Sequence, residues 1–278
     1  MRLIVHHTTT YSYSEPTRRV VQLLRVTPQS FSGQNVLDWR IDVDADARLR
    51  ERQDSYGNIV HMLYIDRPLT TLSVSVSGEV LTENGAGIMH GLPETLPDEL
   101  FLRATPLTQP GETLGALAAE VERAGPAALD RMHRLMTLLH GRLRFDVEAT
   151  AVGTRAEEAH AAGHGVCQDF AHIFIAVARR LGIPARYVSG HLFRRDGAHL
   201  QEASHAWAEA AIEHLGWVGF DPANGICVDD SYVRVACGLD YQDAAPVAGA
   251  RSGGGTEALA VEVQVHDARV QAQTQRQS

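Results

Sequence analysis

The stretch "GVCQDFAHIFIAVARR", residues 165–180, places a cysteine directly before an apolar segment. Nearly every side chain between Phe170 and Ala178 is apolar or small, so this segment is predicted to be a helix that is buried on most sides. Cys167 would lie in its first turn, where unpaired backbone N–H groups and the helix dipole stabilise a thiolate. Since a lone cysteine is more often a buried filler than a nucleophile, partners elsewhere in the chain must decide between the two roles.

A histidine and an aspartate supply such partners. A thiolate that attacks an amide needs a group that protonates the leaving amine, normally histidine, and a third group that orients the imidazole. The segment "SHAWAEAAIEHLGWVGFDP" is typical of two antiparallel strands, with His205 on the first and Asp221 on the second. A three-residue "HLG" loop with a left-handed Gly216 would place both side chains on one face of the sheet. The sequence therefore predicts a catalytic triad of Cys167, His205 and Asp221.

Three neighbours of the triad receive other roles. Asp169 lies in the first turn of the predicted helix, where a carboxylate suits the dipole, and is expected to be structural. His172 lies roughly 140° around the helix from Cys167 and should not reach the sulfur. Trp207 shares the strand face of His205 and is expected either to shield it from solvent or to be an ordinary core aromatic.

A zinc site is the alternative for the same cysteine. His160, His164 and Cys167 form an H-x3-H-x2-C pattern that could supply three ligands. Gly163 and Gly165 interrupt the helix that would have to align the histidines, and the sequence places no fourth ligand. We therefore predict no metal ligands and no cofactor.

The surrounding elements indicate an α+β protein. Alternating apolar and polar residues predict an antiparallel β-rich N-terminal domain over residues 1–83. Residues 84–110, with four prolines and no sustained period, are assigned to a connector. A papain-like catalytic domain, with the cysteine-bearing helix packed on an antiparallel sheet, is predicted over 111–266, and residues 267–278 form a polar tail expected to be disordered.

Local signals bracket the helices around Cys167. Thr154 and Glu157 have the spacing of a capping box that would start a short helix ending at Gly163. The helix that carries Cys167 should end at Gly182, because Pro184 prevents its continuation.

Composition excludes several classes of protein. The chain has 278 residues, 44% of them hydrophobic, and a formal net charge of −9, so nucleic acid and anionic membranes are not expected partners. No apolar stretch is long enough to span a bilayer, and the opening residues do not resemble a signal peptide, so a cytoplasmic protein is expected. Three cysteines without a CxxC pair do not indicate a disulfide framework. The oligomeric state stays open.

Three motifs resemble a known family. "GVCQDFAHIFIAVARRLGIPARYVSGHL", "SHAWAEAAI" and "GWVGFDPANG", in this order, are similar to the core of bacterial transglutaminase-like proteins, whose fold is related to papain-type cysteine proteases. Residues 1–83 resemble the N-terminal domain common in that group. The resemblance implies a triad of Cys167, His205 and Asp221 and a protein or peptide amide as substrate.

The sequence also departs from the animal members of the superfamily. Those enzymes use a tryptophan upstream of the nucleophile to stabilise the oxyanion, but no tryptophan lies between Trp39 and Trp207. The backbone N–H of Cys167 can be one oxyanion donor, and the second is unassigned. Hydrolysis and transfer to an amine therefore both stay open, and no counterpart of the animal calcium sites is recognisable. The alternative from another class is a binding or scaffold protein that keeps the fold without turnover.

Overall fold

The computed structural model describes residues 1–92, 96–147, 150–197 and 200–269. The strands are β1 Arg2–Thr27, β2 Gln34–Val43, β3 Arg48–Gln53, β4 Ile59–Ile65, β5 Leu69–Thr82, β6 Ile88–Met89, β7 Arg144–Phe145, β8 His164–Gly165, β9 Ala185–Leu192, β10 Leu200–Gln201, β11 His205–Ile212, β12 Gly216–Asp221, β13 Ile226–Cys227, β14 Tyr232–Gly238, β15 Val247–Gly253 and β16 Glu257–Asp267. The helices are α1 Glu112–Glu122, α2 Ala128–Arg142, α3 Ala156–Ala162, α4 Cys167–Arg180 and α5 Tyr241–Ala244, with a 3-10 helix at Asp98–Leu102. The predicted α+β class is confirmed.

The N-terminal sheet is organised around β1. Its 26 residues alternate between buried and exposed positions, as a strand with one face on a core must. The first half pairs with β5 and β16, and the second half pairs with β4 and β15. The pairing shifts register around Thr17, next to Pro16, which lacks the N–H needed for a regular ladder. This break allows the two halves of β1 to pair with different strands.

The strands at the C-terminal end of the chain join this first sheet. The sequence predicts a last strand in "ALAVEVQV" and assigns it to the catalytic domain over 111–266. In the structure β15 and β16 instead pair with β1, and β10 pairs with β16. Their alternation of apolar and polar residues predicts a strand but contains no information about which sheet it joins. Residues 270–278, most of the predicted tail, lie outside the described residues.

The second sheet carries two of the predicted catalytic residues, His205 and Asp221. Its strands lie in the order β13, β12, β11, β9, β14, with β6 beside β12. The predicted connector is thus anchored to this sheet by β6, and also by the buried Phe101, whose ring lies 5.1 Å from that of Trp217. Helix α4 packs against β9 and β11 and is buried over most of its length. In the described parts of the chain no helix combines the length and apolarity needed to cross a membrane.

One continuous hydrophobic core joins the two sheets. Leu3 and Val5 of β1 and Val263 of β16 belong to the same buried cluster as the helix α4. Two buried histidines also meet at this junction, because the rings of His7 on β1 and His191 on β9 lie 5.5 Å apart. The N-terminal sheet is therefore part of the support of α4.

Both predicted helix ends are found. Gly163 and Gly182 adopt the left-handed conformation, with φ of 75° each, directly after α3 and at the end of α4. The predicted capping box is wrong in its partners. Arg155 precedes α3 and its N–H donates to Glu158, whereas Thr154 accepts from the N–H of Ala151.

Candidate active site

Cys167 is the first residue of α4 and is partly buried. Asp169 fixes this helix start, because its Oδ2 accepts hydrogen bonds from the Val166 N–H at 2.8 Å and from the Thr150 hydroxyl at 2.7 Å. Gly165 is needed beside it, since a Cβ there would lie 2.6 Å from Asp169 Oδ2. Burial raises the pKa of Asp169, and its hydrogen bonds oppose the shift. The expected structural role of Asp169 agrees with these contacts.

His205 begins β11 and lies opposite Gly190 on β9. Its Nε2 lies 2.6 Å from Asp221 Oδ2, which leaves Nδ1 for another partner. Burial lowers the pKa of His205, but the Asp221 carboxylate and, to a smaller extent, Cys167 raise it to about 10. The imidazole therefore favours its protonated form.

The glycine at position 190 makes room for this arrangement. A Cβ on Gly190 would lie 2.1 Å from the carbonyl oxygen of Val233 and 2.6 Å from Cη2 of Trp207. Trp207 is fully buried, and its ring lies 6.2 Å from that of His205 in a stacked arrangement. Trp207 thus covers one face of the imidazole while filling the core, so both roles expected for it are combined.

Asp221 is fully buried at the end of β12 and is surrounded by donors. Its Oδ1 accepts from the N–H groups of Ala223 and Asn224, at 3.0 and 3.1 Å. Its Oδ2 accepts from the Asn224 amide and the Tyr232 hydroxyl, both at 2.7 Å, as well as facing His205. Burial raises the pKa of Asp221, but His205 and these hydrogen bonds outweigh it and hold the pKa below its usual range.

Sequence reasoning missed Tyr232 and Asn224. Asn224 lies in the turn after Asp221, and its amide nitrogen also lies 3.5 Å from His205 Nε2. Tyr232 comes from β14, on the far side of β9 and β11 from β12, so no local pattern links it to Asp221. Its ring centroid lies 6.0 Å from that of His205. Both residues position the carboxylate and the imidazole.

A buried ion-pair cluster fixes the strand that bears His205. Glu209, on the same face of β11 as His205, is fully buried and accepts from Arg186 at 2.6 Å and Arg234 at 2.8 Å. Burial raises the pKa of Glu209, but the two guanidinium groups more than compensate and lower it. Since Arg186 lies on β9 and Arg234 on β14, the cluster connects three neighbouring strands.

The first histidine of the zinc alternative has another partner. The Nδ1 of His160 lies 2.8 Å from the hydroxyl of Thr113. Within the described ranges, no group of three or more histidine, cysteine, aspartate or glutamate side chains is arranged to hold a metal ion. His172, which was not expected to reach the sulfur, is fully buried and accepts from the Tyr241 N–H at 3.1 Å. Burial lowers its pKa to about 3, so it is neutral.

An open cleft of about 510 Å³ adjoins His205. Its lining includes Asn224 and Tyr232 as well as the apolar side chains of Phe145 and Ile226. The cleft gives a substrate access to the imidazole and is large enough for a short peptide segment.

Comparisons with known proteins identify relatives of both parts of the chain. Residues 3–81 match the bacterial transglutaminase-like N-terminal region, and residues 115–222 match the transglutaminase-like superfamily. An uncharacterized protein of Mycobacterium leprae is 31% identical over 284 residues, which cover 95% of this chain and 98% of the relative. An uncharacterized protein of Mycobacterium tuberculosis is 29% identical over 279 residues, covering 89% of this chain and 87% of the relative.

A solved structure shares the fold. A protein from Cytophaga hutchinsonii, described as a candidate cysteine protease, superposes with a TM-score of 0.77 at 23% identity and covers 96% of this chain and 90% of that chain. The two matched regions together span most of the sequence, and the resemblance read from the three motifs is confirmed. The chain belongs to the transglutaminase-like superfamily, in the bacterial branch that carries the transglutaminase-like N-terminal region.

Proposed function

We propose that the protein is a thiol-dependent acyl-transfer enzyme that acts on protein or peptide amides through Cys167, His205 and Asp221. The observation that carries the proposal is the pair formed by His205 and the buried Asp221, in which His205 Nε2 lies 2.6 Å from Asp221 Oδ2. Cys167 at the start of α4 is near enough to His205 to contribute to the raised pKa of the imidazole. A cysteine at a helix start, an imidazole and a buried carboxylate in this order form the arrangement that nucleophilic catalysis on an acyl group requires.

The first half of the reaction forms a thioester. The Cys167 thiolate attacks the amide carbonyl, and the oxygen gains negative charge in the tetrahedral intermediate. The N–H of Cys167, which has no acceptor within its own helix at the first helical position, can donate to that oxygen. Protonated His205 gives its proton to the departing nitrogen as the C–N bond breaks, and Asp221 stabilises the imidazolium before this transfer.

The second half regenerates the thiolate. Neutral His205 removes a proton from water or from an amine, whose oxygen or nitrogen then attacks the thioester carbonyl. The C–S bond breaks, His205 is again protonated, and the product is a carboxylic acid or a new amide. The choice of acceptor distinguishes a protease or amidase from a transglutaminase.

The test follows cleavage and amine incorporation together. The purified full chain is incubated with a peptide mixture and a labelled primary amine, and both products are measured by mass spectrometry beside a Cys167→Ala control. Label that disappears in the control would identify a transferase, and cleavage without label would identify a protease or amidase. Absence of both products would contradict the proposal.

The other two cysteines provide an internal control for the nucleophile. Cys227 is partly buried with its sulfur 3.4 Å from His133 Nε2, and burial raises its pKa, while Cys237 is buried. Iodoacetamide below neutral pH should therefore modify Cys167 much faster than either of them. Equal rates at the three thiols would favour a binding or scaffold protein over an enzyme.

A further inference from the structure

The walls of the cleft beside His205 are apolar at the end near the nucleophile. The side chain of Phe145 is 52% exposed, although its strand β7 is paired to β8 two residues before Cys167. Its ring centroid lies 6.4 Å from that of Phe170, a buried residue in the first turn of α4. An aromatic ring is thus held over the start of the nucleophile's helix with half its surface facing the cleft.

A second exposed apolar residue lies at the same end. Val152 is 61% exposed, and its carbonyl accepts from the side-chain amide of Gln168, the residue after Cys167. The half-buried Phe193 continues the apolar wall of the cleft. Exposed apolar side chains that gather around a concave site are typical of surfaces that bind apolar groups.

The charged residues of the cleft neutralise one another. Arg194 is ion-paired with Asp196, and Arg195 lies 3.2 Å from Asp229 and 3.1 Å from Asp230. Among the side chains that line the cleft, the two arginines are matched by Asp196 and Asp229, so their charges cancel, while Asp230 lies outside the lining and also faces the N-terminal amine. The lining therefore offers no excess charge, apart from His205 itself, to select a charged substrate side chain.

The chemistry of the triad decides which part of a substrate faces Phe145. The acyl group is bonded to the sulfur of Cys167 during the reaction, while the departing amine must lie against His205, which protonates it. Phe145 pairs with Gly165, two residues before Cys167, whereas Ile226 pairs with Asp221. Phe145 is thus adjacent to the acyl group.

We propose that Phe145 is a specificity-determining residue that selects amides whose acyl portion carries a bulky apolar side chain, such as leucine or phenylalanine. The inference rests on the proposed function, since it requires that Cys167 forms a bond to the acyl group. It adds a substrate class, namely peptides or protein segments with an apolar side chain next to the reacting carbonyl.

The test uses peptidyl vinyl sulfones that differ in the side chain next to the reactive carbon. The thiolate of Cys167 adds to the vinyl carbon next to the carbon that bears the side chain, the C=C bond becomes a single bond, and the vinyl carbon bonded to the sulfone takes a proton from His205. Probes with phenylalanine, leucine, aspartate or lysine are compared by the second-order rate of Cys167 modification in the full chain. Each rate is divided by the iodoacetamide rate of the same variant, which corrects for changes in the thiol.

The wild-type protein should react about tenfold faster with the phenylalanine and leucine probes than with the charged ones. Tenfold corresponds to about 1.4 kcal/mol, within the range expected for burying part of an aromatic side chain. Phe145→Ala should reduce this preference to about twofold, and Phe145→Glu should make the lysine probe the fastest. Leu37→Ala, which truncates an exposed apolar residue on β2, should keep the wild-type preference.

The outcomes separate the inference from the function it rests on. A wild-type protein without an apolar preference, or Phe145 variants that retain the preference, would overturn the inference while leaving the nucleophile intact. If neither the vinyl sulfones nor iodoacetamide modify Cys167 faster than Cys227 and Cys237, the proposed function fails, and the inference fails with it.

Discussion

At the scale of single residues, the electrostatic state of His205 controls the proposed chemistry. Burial alone would leave the imidazole neutral, and the Asp221 carboxylate and Cys167 reverse this effect and raise its pKa to about 10. The resting site is therefore expected to contain an imidazolium. Protonated His205 is the form that the leaving amine needs, and it persists until the pH approaches this pKa.

We expect Asp221→Asn to move the alkaline limb of the pH–rate profile to lower pH. The substitution removes the charge that raises the pKa of His205 and leaves the burial that lowers it, so the imidazolium is lost earlier as pH rises. The rate of Cys167 alkylation at pH 7 should fall about tenfold or more, because the thiolate loses its cation. Alkylation between pH 5 and 10 measures the shift, and Asp66→Asn, far from the site on the N-terminal sheet, is the matched control. An unmoved limb would show that Asp221 does not control His205.

Tyr232→Phe should move the acidic limb of the pH–rate profile for Cys167 alkylation to higher pH. The Tyr232 hydroxyl donates to Asp221 Oδ2 at 2.7 Å and helps to hold the pKa of that carboxyl below its usual range. Without this hydrogen bond Asp221 binds a proton at higher pH, by about one pH unit, since hydrogen bonds to charged groups contribute roughly 1.5 kcal/mol or more. Tyr56→Phe removes a similar hydrogen bond to Asp243 outside the site and should leave the limb in place. Equal profiles for both variants would contradict a positioning role of Tyr232.

The sequence predicts the roles of some residues of the site but not of others. Cys167, His205 and Asp221 have the side-chain types that acyl transfer needs, and each lies in a recognisable local pattern. Tyr232 can be read only as a buried strand residue, because its function depends on the order of strands in the sheet. A side chain that acts through another residue leaves no chemical signature in its own segment.

At the scale of elements, the β-hairpin formed by β11 and β12 shows how the number of residues in a loop decides which side chains share a face of the sheet. Residue Ile212 pairs with Gly216, so the loop consists of residues 213–215 and is shifted by one position from the predicted "HLG". Its length is still three, and both His214 and Gly216 have positive φ, of 68° and 80°. His205 and Asp221 consequently lie on one face of the sheet, as predicted. An odd loop length places them on the same face even when the loop begins one residue earlier than predicted.

The start of helix α1 shows a contact that local sequence patterns do not predict. Glu157 was expected to cap its own helix α3, but its carboxylate accepts from the N–H groups of Gly111, Thr113 and Leu114, at 2.8, 2.7 and 3.2 Å. These groups belong to the start of α1, more than 40 residues earlier in the chain. A capping pattern in the sequence identifies a carboxylate near a helix start, but cannot exclude that another helix start uses it.

Glu157→Ala should therefore destabilise the packing of α1 on α3. Burial raises the pKa of Glu157, but the three backbone donors outweigh this effect, so the pKa is lowered. The carboxylate therefore stabilises the folded protein at neutral pH, and this contribution is lost as the pH falls through the lowered pKa. We expect the free energy of unfolding at pH 7 to decrease by about 1–2 kcal/mol, as for the loss of a helix cap. Urea titration measures this, with exposed Glu122→Ala as the control, and equal effects of both variants would contradict the assignment.

At the scale of the whole molecule, the junction of the two sheets contains two buried, neutral histidines. Burial lowers the pKa of His7 to about 4 and that of His191 to about 3. The Nδ1 atoms of both lack a hydrogen-bond partner among the described residues. The unfolded chain binds protons at these positions near pH 6.5, whereas the folded protein resists protonation until about pH 4.

The protein should consequently lose stability between about pH 6.5 and pH 4. Each buried histidine contributes up to about 1.4 kcal/mol per pH unit in this range, because the unfolded state binds the proton and the folded state does not. Urea titrations at pH 7 and pH 4.5 measure the loss, and His191→Gln should make it smaller. The exposed His214→Gln should have no effect on the slope, and an equal slope in wild-type protein and His191→Gln would contradict the explanation.

The domain arrangement is the part of the fold that the sequence predicts least. Alternation identifies the strands, and the helix signals around Cys167 identify both ends of α4. The partners of β15 and β16 are set by long-range packing of Val263 and Val265 against residues far away in sequence, for which no local pattern exists. A division of the chain into consecutive segments thus describes the order of the motifs but not the membership of the sheets.

The pairing of the first strand with the last imposes an order on biosynthesis. More than 200 residues separate β1 from β16, so β1 is complete on the ribosome long before its partner strand β16 has been synthesised. The sheet around α4 can assemble in the meantime, because its strands and helices lie between these two ends. During this interval one side of β1 offers unpaired backbone groups, and a nascent chain in this state is open to capture by chaperones or by other strands.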